Sequence, residues 1–492
     1  MEELNVKKKA IVVGSGIAGI ASAIRLSVKG YAVQVLEKNT YVGGKLTYLH
    51  LGDYRFDAGP SLFTMPQFVE ELFELAGKNT TDYFQYVRSD AACVYFFEDG
   101  TILPFRADKE ALLEEVKLKL GVDPGPLDKH LSRSDFIYER THKTFLEQSL
   151  HIPKNFFSKD VLKTILAIPK LGLFSTMHQT NTKKLNHPKL VQIYDRFATY
   201  NGSNPYQAPA ILNVIPHLEH GIGTFYPLKG MNGITESLVV LAKELGVEFL
   251  LSRPVDEIVV ADKKVQGVRS ENDFFPAEVV FCNADIRPAY QYLLPTEKLS
   301  SKVKNQESSS SAMIFYWGMK KKFPEMDFQN IFFSDHYEEE FEAMFVQKTV
   351  HEDPTIYVHI SSKIKTDDAP ENGENWFVMI NVPANSGQDW IKLRQEIRAN
   401  TLKKLSRILK TDVESFIEEE DYLDPIRIEE RTSSHGGALY GASSNDRMAA
   451  FFRHPNFSSV HGLHFVGGSV HPGGGIPLCL LSAKIAVSTI KN

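Results

Sequence analysis

Three glycines and one glutamate near the N-terminus have the spacing of a dinucleotide site. Gly14, Gly16 and Gly19 follow one another as G-x-G-x-x-G, and Glu37 stands after the next predicted strand. Glycines permit a tight turn and let backbone N–H groups approach a pyrophosphate, while the helix that follows directs its positive N-terminal end at the phosphates. The glutamate can bond to a ribose hydroxyl, which favours a ribose without a 2′-phosphate.

The residues around these glycines predict the elements that such a site needs. An apolar run over residues 10–13 precedes the turn, an Ala- and Ile-rich segment over residues 17–28 follows it, and residues 32–36 alternate as a strand does. In that context a glycine turn without a ligand is the weaker interpretation. A second glycine-rich segment, Gly-Gly-Lys at residues 43–45, comes next. FAD enzymes often carry this extension and a nicotinamide site does not require it, so FAD is favoured over NAD.

The C-terminal part of the chain repeats the order of strand, glycines and helix. Residues 463–469 predict a buried strand that ends in glycines, residues 471–477 contain three successive glycines, and residues 478–489 predict a helix. Such a junction supplies backbone donors and a helix N-terminus suited to a flavin ring or its ribityl-phosphate arm. A simple glycine turn is less favoured, because three glycines cost backbone entropy without a local benefit. We therefore expect both ends of the chain to build one cofactor domain.

The composition limits the class of protein. A chain of 492 residues exceeds what one hydrophobic core usually supports, so two or three subdomains are expected. A net charge of −6 gives no reason to expect nucleic acid. The three cysteines lie far apart, which indicates free thiols in a reducing cytosol, and the histidines lack metal-ligand spacing, so no metal is predicted. Neither a signal peptide nor a transmembrane helix is expected.

One segment is basic although the chain as a whole carries a net negative charge. Residues 151–189 contain one acid, Asp160, and many large apolar side chains interrupted by Pro169. The lysines of the segment are Lys154, Lys159, Lys163, Lys170, Lys183, Lys184 and Lys189. A basic, apolar segment is typical of an interfacial anchor on an anionic membrane. A helix pair packed in a substrate domain, with lysines at its rim, fits equally well. With the first interpretation the protein would be cytoplasmic and peripheral on the inner face of the cell membrane.

The order of predicted elements indicates an α/β fold with a discontinuous cofactor domain. Alternating strands near residues 311–318, 355–361 and 376–382 indicate an antiparallel sheet, and the polar residues 307–311 and 366–374 predict exposed loops. The expected parts are a Rossmann-like FAD-binding domain (1–95, 225–290 and 425–492), a mainly helical substrate- or membrane-contact subdomain (96–224) and a substrate-binding sheet domain (291–424).

Motifs spread over residues 12–484 carry a resemblance to a known family. They are residues 12–19, residues 37–45, FDAGPSLFTMP at 56–66, GTFYPLKGMNG at 223–233, residues 281–285 and VGGSVHPGGGIPLCLLSAK at 466–484. The whole chain resembles the bacterial carotenoid desaturases of the phytoene-desaturase type, flavoproteins related in fold to the amine oxidases. Its overall likeness is greatest to the hydroxycarotenoid 3,4-desaturases. Lys45 stands where arginine is common and lacks the bidentate fork, and Ala58 stands where a bulkier residue is common.

The resemblance implies FAD contacts at the motif positions. Val255, beside a predicted strand, would contact the adenine, and three residues near the C-terminus would lie close to the flavin. The complete set is Gly14, Gly16, Gly19, Glu37, Lys38, Gly44, Lys45, Pro60, Ser61, Val255, Gly468, Ser469 and Ile476. Each of these residues has a purely structural role as the alternative.

The resemblance also implies the chemistry. Two hydrogens would leave adjacent carbons of a carotenoid polyene, one of them as a hydride to the flavin N5. Such a reaction needs an apolar tunnel and alignment more than a strong acid or base. His471 is the candidate catalytic residue, because its position places it near the flavin; a histidine that only bonds to the backbone is the alternative. The sequence specifies neither the particular carotenoid nor the acceptor that reoxidises the flavin.

Other functions fit the same sequence. A phytoene- or dehydrosqualene-type desaturase would share every motif. An amine oxidase would need an aromatic cage, for which Phe225 and Tyr226 are candidates. A polyene isomerase that uses reduced flavin would keep both tunnel and cofactor site. A flavin-free lipid-binding escort protein would keep the tunnel alone, and the intact glycine and glutamate set counts against it.

Overall fold

The computed structural model describes residues 7–89, 91–149, 151–446, 449 and 453–490. The strands are β1 (Lys9–Val13), β2 (Ala32–Leu36), β3 (Tyr48–Leu51), β4 (Tyr54–Asp57), β5 (Tyr86–Arg88), β6 (Ala91–Phe96), β7 (Ile102–Arg106), β8 (Phe225–Pro227), β9 (Glu248–Leu250), β10 (Glu257–Ala261), β11 (Lys264–Ser270), β12 (Asp273–Pro276), β13 (Val279–Cys282), β14 (Ser311–Met319), β15 (Gln329–Phe332), β16 (Ile356–Ile360), β17 (Glu374–Val382), β18 (Ile417–Leu423) and β19 (Leu463–Phe465). The α-helices are α1 (Ile17–Val28), α2 (Gln67–Leu75), α3 (Lys109–Leu120), α4 (Gly125–Thr141), α5 (Lys159–Leu171), α6 (Met177–Lys184), α7 (Pro188–Asp195), α8 (Ile215–His217), α9 (Asn232–Glu244), α10 (Ile286–Pro288), α11 (Ser301–Lys304), α12 (Tyr337–Glu342), α13 (Trp390–Ile408), α14 (Pro425–Thr432) and α15 (Ile476–Ser488).

A five-stranded parallel sheet joins strands from distant parts of the chain. Its order is β19, β13, β1, β2 and β9. Both faces are buried, as is usual for parallel strands, because Val12 of β1 belongs to one hydrophobic core and its neighbour Ile11 to another. Helices α1, α9 and α15 pack over the first of these cores. The predicted α/β fold, with a cofactor-type sheet built from both chain ends, is confirmed.

A seven-stranded sheet forms the second layer of the structure. Its order is β18, β14, β17, β16, β15, β6 and β7, and it is antiparallel except for the pair formed by β15 and β6. The domain boundary predicted after residue 95 cuts through β6, which belongs to this sheet. The reason is a contact that is remote in sequence: Phe96 stacks on Phe332 with ring centroids 4.4 Å apart. The other predicted domain boundaries stay predictions.

Two segments predicted to be exposed loops are partly buried. Ser309 is 1% exposed, and its backbone N–H donates to the carbonyl oxygen of Gly441 at 2.8 Å. Asp368 is completely buried and forms an ion pair with Arg55 at 3.2 Å. The prediction was wrong at these residues because their polar groups find partners on remote parts of the chain rather than in water.

The region between residues 107 and 222 is mainly helical and lies over the seven-stranded sheet. Its buried side chains, such as Leu127 and Met177, share a core with Tyr95 and Phe105 of β6 and β7. Helix α5 buries Val161 and Leu171 and has leucine and isoleucine side chains on its outer surface. Among the described residues, no helix is long and apolar enough to span a membrane.

Candidate active site

The first glycine turn has the close packing that its sequence predicts. Gly14 has a φ of +91°, and its backbone N–H donates to the carbonyl oxygen of Leu36 at 2.8 Å. A Cβ on Gly19 would lie 2.2 Å from the carbonyl oxygen of Gly14, so only glycine lets α1 pack this closely on β1. Gly43, in the second glycine pair, donates its N–H to the carbonyl oxygen of Ser15 at 2.9 Å. The two glycine-rich segments therefore meet at one point.

Glu37 is held rigidly at the end of β2. Its Oε2 accepts hydrogen bonds from the backbone N–H and the hydroxyl of Ser15, both at 2.8 Å. Its Oε1 accepts from the backbone N–H and the side-chain amide of Asn39, both at 2.9 Å. The side chain is 5% exposed and lines a large cavity that is described below. A carboxylate fixed at this place can accept from a ribose hydroxyl and would repel a 2′-phosphate.

Asn283, at the end of β13, joins the N-terminal turn to the C-terminal strand. Its Oδ1 accepts from the backbone N–H of Gly19 at 2.9 Å, and its Nδ2 donates to the carbonyl oxygen of Val466 at 3.1 Å. Helix α1 begins after Gly16, which has no side chain to cap it. Asn283 therefore supplies the missing cap from a remote strand. This residue belongs to the motif at 281–285 but was not among the predicted site residues; a polar residue directly after a buried strand was the available signal.

The lysines predicted to contact FAD are bonded to the C-terminal third of the chain. Nζ of Lys45 donates to the carbonyl oxygens of Ala438 (2.9 Å) and Leu439 (3.1 Å), and burial lowers the pKa of this lysine. Nζ of Lys38 donates to the carbonyl oxygen of Glu430 at 2.7 Å and to the hydroxyl of Ser433 at 2.8 Å. Both lysines line the cavity. Their contacts with FAD stay predictions.

The C-terminal glycines form the opposite wall of the same cavity. The carbonyl oxygen of Gly468 accepts from Nη1 of Arg453 at 3.1 Å, and the hydroxyl of Ser469 accepts from the backbone N–H of Ile286 at 3.0 Å. Gly475 precedes α15 with a φ of +109°, and nothing lies within 4 Å of the place a Cβ would take. Open space in front of a helix N-terminus provides room for a bulky group such as a flavin.

A cavity of about 720 Å³ collects almost all of the predicted site residues. Those that line it are Gly14, Gly16, Glu37, Lys38, Gly44, Lys45, Pro60, Ser61, Val255, Gly468, Ser469, His471 and Ile476. Gly19 does not line it; this residue acts through the packing of α1 on β1 described above. The glycine turns, the fixed carboxylate and the open helix N-terminus fit the adenosine, pyrophosphate and flavin parts of FAD.

His471 is buried, with 4% of its surface exposed, and its Nε2 lies 2.9 Å from the carbonyl oxygen of Gln148. A carbonyl only accepts, so Nε2 carries the proton and Nδ1 is the unprotonated nitrogen. Burial lowers the pKa of His471 to about 4, which keeps the ring neutral at neutral pH. The ring of His151 packs edge-on against it, with centroids 5.6 Å apart.

The same cavity continues from the glycines into an apolar space. One row of side chains across the seven-stranded sheet, the floor row, lies in register on five neighbouring strands; it consists of Leu423, Ile314, Met379, Tyr357 and Ile331. Apolar residues of the mainly helical region line the same space, among them Leu146, Leu173, Ile211, Leu212, Ile215 and Leu218. The hydroxyl of Tyr357 bonds to that of Ser61 at 2.9 Å, which ties the floor row to the cofactor half. An elongated apolar molecule can therefore reach the flavin position.

The aromatic residues considered for an amine cage are not part of this cavity. Tyr226 is completely buried, and its hydroxyl donates to Oδ2 of Asp57 at 2.7 Å. Phe225 packs edge-on against Tyr86 with centroids 5.3 Å apart. Neither of them lines the cavity in the described part of the chain.

Sequence and structure comparisons define the class of the protein. The sequence profile of the flavin-containing amine oxidoreductases matches residues 17–491, and the chain belongs to that family. It is an FAD-dependent oxidoreductase.

More specific similarity comes from relatives that match nearly end to end. A 1-hydroxycarotenoid 3,4-desaturase from Flavobacterium sp. (strain P99-3) is 51% identical over 486 residues, which covers 99% of both chains. A 4,4'-diapolycopene oxygenase from Methylomonas sp. is 34% identical over 98% of this chain and 97% of its own.

Solved structures confirm the fold at low identity. An oxidoreductase from Methanosarcina mazei superimposes with a TM-score of 0.64 at 14% identity, covering 98% of this chain and all of its own. A putrescine oxidase with bound putrescine superimposes with a TM-score of 0.62 at 15% identity, covering 98% of each chain.

Proposed function

We propose that this protein is an FAD-dependent carotenoid desaturase that introduces a C=C bond into the acyclic, hydroxylated end of a carotenoid during carotenoid biosynthesis. The observation that carries the proposal is the 51% identity, over essentially the whole chain, to a 1-hydroxycarotenoid 3,4-desaturase. The continuous cavity supports it, because one end is built of glycine turns and the other of apolar side chains.

The residues of the chain position the substrate and keep water away from the reacting carbons. The floor row and the apolar residues of the helical region hold the hydrocarbon part of an elongated chain by apolar contact. In the reaction two C–H bonds break and one C=C bond forms. FAD, where bound, would supply the acceptor for one hydrogen as a hydride, and the other hydrogen would leave as a proton. We propose Nδ1 of His471, or a water molecule bonded to it, as the place where that proton is held.

Replacing His471 with glutamine tests this role. The variant keeps a donor for the carbonyl oxygen of Gln148 and loses the ring nitrogen. We expect turnover to fall at least tenfold with normal flavin content. Unchanged turnover with FAD bound would leave His471 with a structural role only.

The decisive experiment uses purified, FAD-loaded protein and a 1-hydroxylated acyclic carotenoid under anaerobic conditions. We expect the flavin absorbance to bleach and the product to be two hydrogens lighter. No bleaching with any polyene, together with bleaching by an amine, would instead establish an amine oxidase. A product with rearranged double bonds and the same mass as the substrate would establish an isomerase. Failure of the purified protein to take up FAD would favour the flavin-free escort protein.

An oxygenase is the second candidate function. Two relatives that match at least 97% of this chain carry that name: the Methylomonas protein at 34% identity and a 4,4'-diaponeurosporene oxygenase from Staphylococcus aureus (strain Mu50 / ATCC 700699) at 31%. The same assay in air separates the two functions, because an oxygenase adds oxygen to the product and a desaturase only removes hydrogen.

We also propose that the protein docks on the inner face of the cell membrane through α5 and its flanking residues. Five large apolar side chains, here called the exposed apolar patch, are open to solvent: Phe157 (91% exposed), Leu162 (59%), Ile165 (50%), Leu166 (75%) and Phe174 (76%). Helix α5 buries one stripe that includes Val161, Thr164 and Leu171, so its outer surface would normally be polar. Apolar side chains exposed in such density mark a docking surface.

The charges around the exposed apolar patch favour an anionic membrane as the partner. Four exposed lysines lie in the same segment of the chain: Lys154, Lys159, Lys163 and Lys170. Leu173, two residues after α5, lines the main cavity. The patch therefore lies beside the helical wall of the cavity, where a membrane-dissolved polyene has a short path into the protein.

Liposome binding at low salt tests the docking surface. We expect the fourfold change of these lysines to glutamate, and separately Leu166→Glu, to reduce binding to anionic vesicles at least tenfold. The matched control changes four exposed lysines elsewhere to glutamate: Lys320, Lys392, Lys403 and Lys410. Equal losses in both fourfold variants would show a general charge effect, and unaltered binding of the first would contradict the proposal.

A further inference from the structure

A buried carboxyl group lines the cavity near the floor row. Glu340 of α12 is 3% exposed. Its Oε2 accepts two hydrogen bonds from Thr355, one from the backbone N–H at 3.1 Å and one from the hydroxyl at 2.8 Å. Its Oε1 has no hydrogen-bond partner in the described part of the chain. One oxygen is therefore anchored, and the other is available to a molecule in the cavity.

Two further polar side chains without a hydrogen-bond partner among the described residues lie near this carboxyl group. Tyr337 stands one helical turn before Glu340, lines the cavity, and has no hydrogen bond to its hydroxyl from any described residue. Asn381 of β17 also lines the cavity, and its carboxamide is unbonded in the described part of the chain. Ile356 of β16 pairs with Ile380 of the antiparallel strand β17. Thr355 precedes Ile356 and Asn381 follows Ile380, so Thr355 and Asn381 lie side by side. Tyr337, Glu340, Thr355 and Asn381 are here called the polar cluster.

The polar cluster does not suit a pure hydrocarbon. Polar groups that lose water without gaining a partner are destabilising, so a carotenoid end made only of methyl groups would leave these side chains unsatisfied. An alcohol hydroxyl both donates and accepts one hydrogen bond, and the cluster offers acceptors and donors at one place. Burial raises the pKa of Glu340 to about 7, so the carboxyl group exists in donor and acceptor forms near neutral pH.

We infer that the polar cluster is the subsite for the hydroxyl group at the end of the polyene, with Glu340 as its main hydrogen-bonding partner. The inference rests on the proposed function and assigns the residues that recognise the hydroxyl group at the end of the polyene that enters the cavity. The cluster selects the hydroxylated end and positions the neighbouring C–C bond for oxidation; it takes no part in removing hydrogen.

The test compares two polyenes of equal length, one with a terminal tertiary hydroxyl and one without it. For the FAD-loaded protein we measure Kd from the shift in polyene absorbance and kcat/KM from product formation. We expect the unmodified protein to prefer the hydroxylated polyene in both quantities. Glu340→Met removes the carboxyl group at similar volume and should reduce this preference by ten- to a hundredfold, almost entirely through the hydroxylated substrate.

Milder variants keep the test valid if Glu340→Met fails to fold. Tyr337→Phe and Asn381→Leu remove polar groups that have no partner in the described structure, and each should reduce the preference three- to tenfold. Glu338→Gln is the matched control, because Glu338 is exposed on the same helix.

The outcomes separate the subsite from the proposed function. If Glu340→Met lowered kcat/KM equally for both polyenes, the subsite would be overturned and Glu340 would have a structural or proton-transfer role. Equal Kd and kcat/KM for the two polyenes in the unmodified protein would also overturn it, while leaving the desaturase intact. No turnover of either polyene would instead contradict the proposed function.

Discussion

Asn283 allows a quantitative test of how the two chain ends are joined. The change to alanine removes the acceptor for the N–H of Gly19 and the donor to the carbonyl oxygen of Val466, and it leaves the main chain of β13 unaltered. A lost helix cap costs about 1 kcal/mol, and a lost neutral hydrogen bond costs about 1 kcal/mol. The sum of about 2 kcal/mol corresponds to a roughly 30-fold change in an equilibrium constant.

We expect this change to appear as a roughly 30-fold higher Kd for FAD, because binding must then also order a turn that Asn283 had held in place. The assay is a titration of deflavinated protein with FAD, followed by flavin fluorescence. Asn283→Asp keeps an acceptor for Gly19 and loses the donor, so its Kd should lie between those of the alanine variant and the unmodified protein. Asn305→Ala, at an exposed asparagine, is the control.

Two results would refute the reasoning. A Kd for Asn283→Ala within twofold of the unmodified protein would show that neither hydrogen bond supports the cofactor site. An aspartate variant as weak as the alanine variant would assign the whole effect to the bond with Val466 and would contradict the role as a helix cap.

Two further predictions concern stability. Arg55→Met leaves the buried carboxylates of Asp57 and Asp368 without their shared guanidinium, so it should destabilise the protein by about 3 kcal/mol and lower the thermal midpoint; an unchanged midpoint would contradict this. His130 has a pKa lowered by burial from 6.5 to about 4, so between these values the unfolded chain binds the extra proton and stability falls as the pH falls. His130→Phe removes this proton-binding group, so its free energy of unfolding should rise by about 2 kcal/mol relative to that of the unmodified protein as the pH falls from 6.5 to 5. Thermal midpoints of both proteins measure this difference. A difference in stability that does not change with pH would contradict the prediction.

Local signals in the sequence predicted the cofactor half well. The runs at residues 10–13, 17–28 and 32–36 became β1, α1 and β2 almost residue for residue. Strand alternation, helix periodicity and glycine turns each depend on neighbours in the chain, so one sequence contains the information. The cavity then collected nearly all of the residues that the family resemblance implied.

Features that depend on remote contacts were not predictable. The pairing of β6 with β15 joins residues more than two hundred positions apart, and no pattern within either strand names its partner. Asn283 acts on a helix that begins at residue 17, and Glu340 shares the cavity with strands far along the chain. An isolated polar residue in a sequence has an exposed position as its simplest interpretation. Only the assembled fold shows which of them are enclosed.

The strand order of the five-stranded sheet also has a consequence for biosynthesis. In this sheet β13 lies beside β1, and β19 forms the edge strand next to β13. Helix α15 follows β19 in the chain. A nascent polypeptide on the ribosome cannot complete this sheet or enclose its coenzyme before residues 463–488 have been translated, because β19 and α15 are missing until then. Loading with flavin therefore follows translation of these residues, and polypeptides truncated before residue 463 should accumulate as colourless clients of chaperones and proteases.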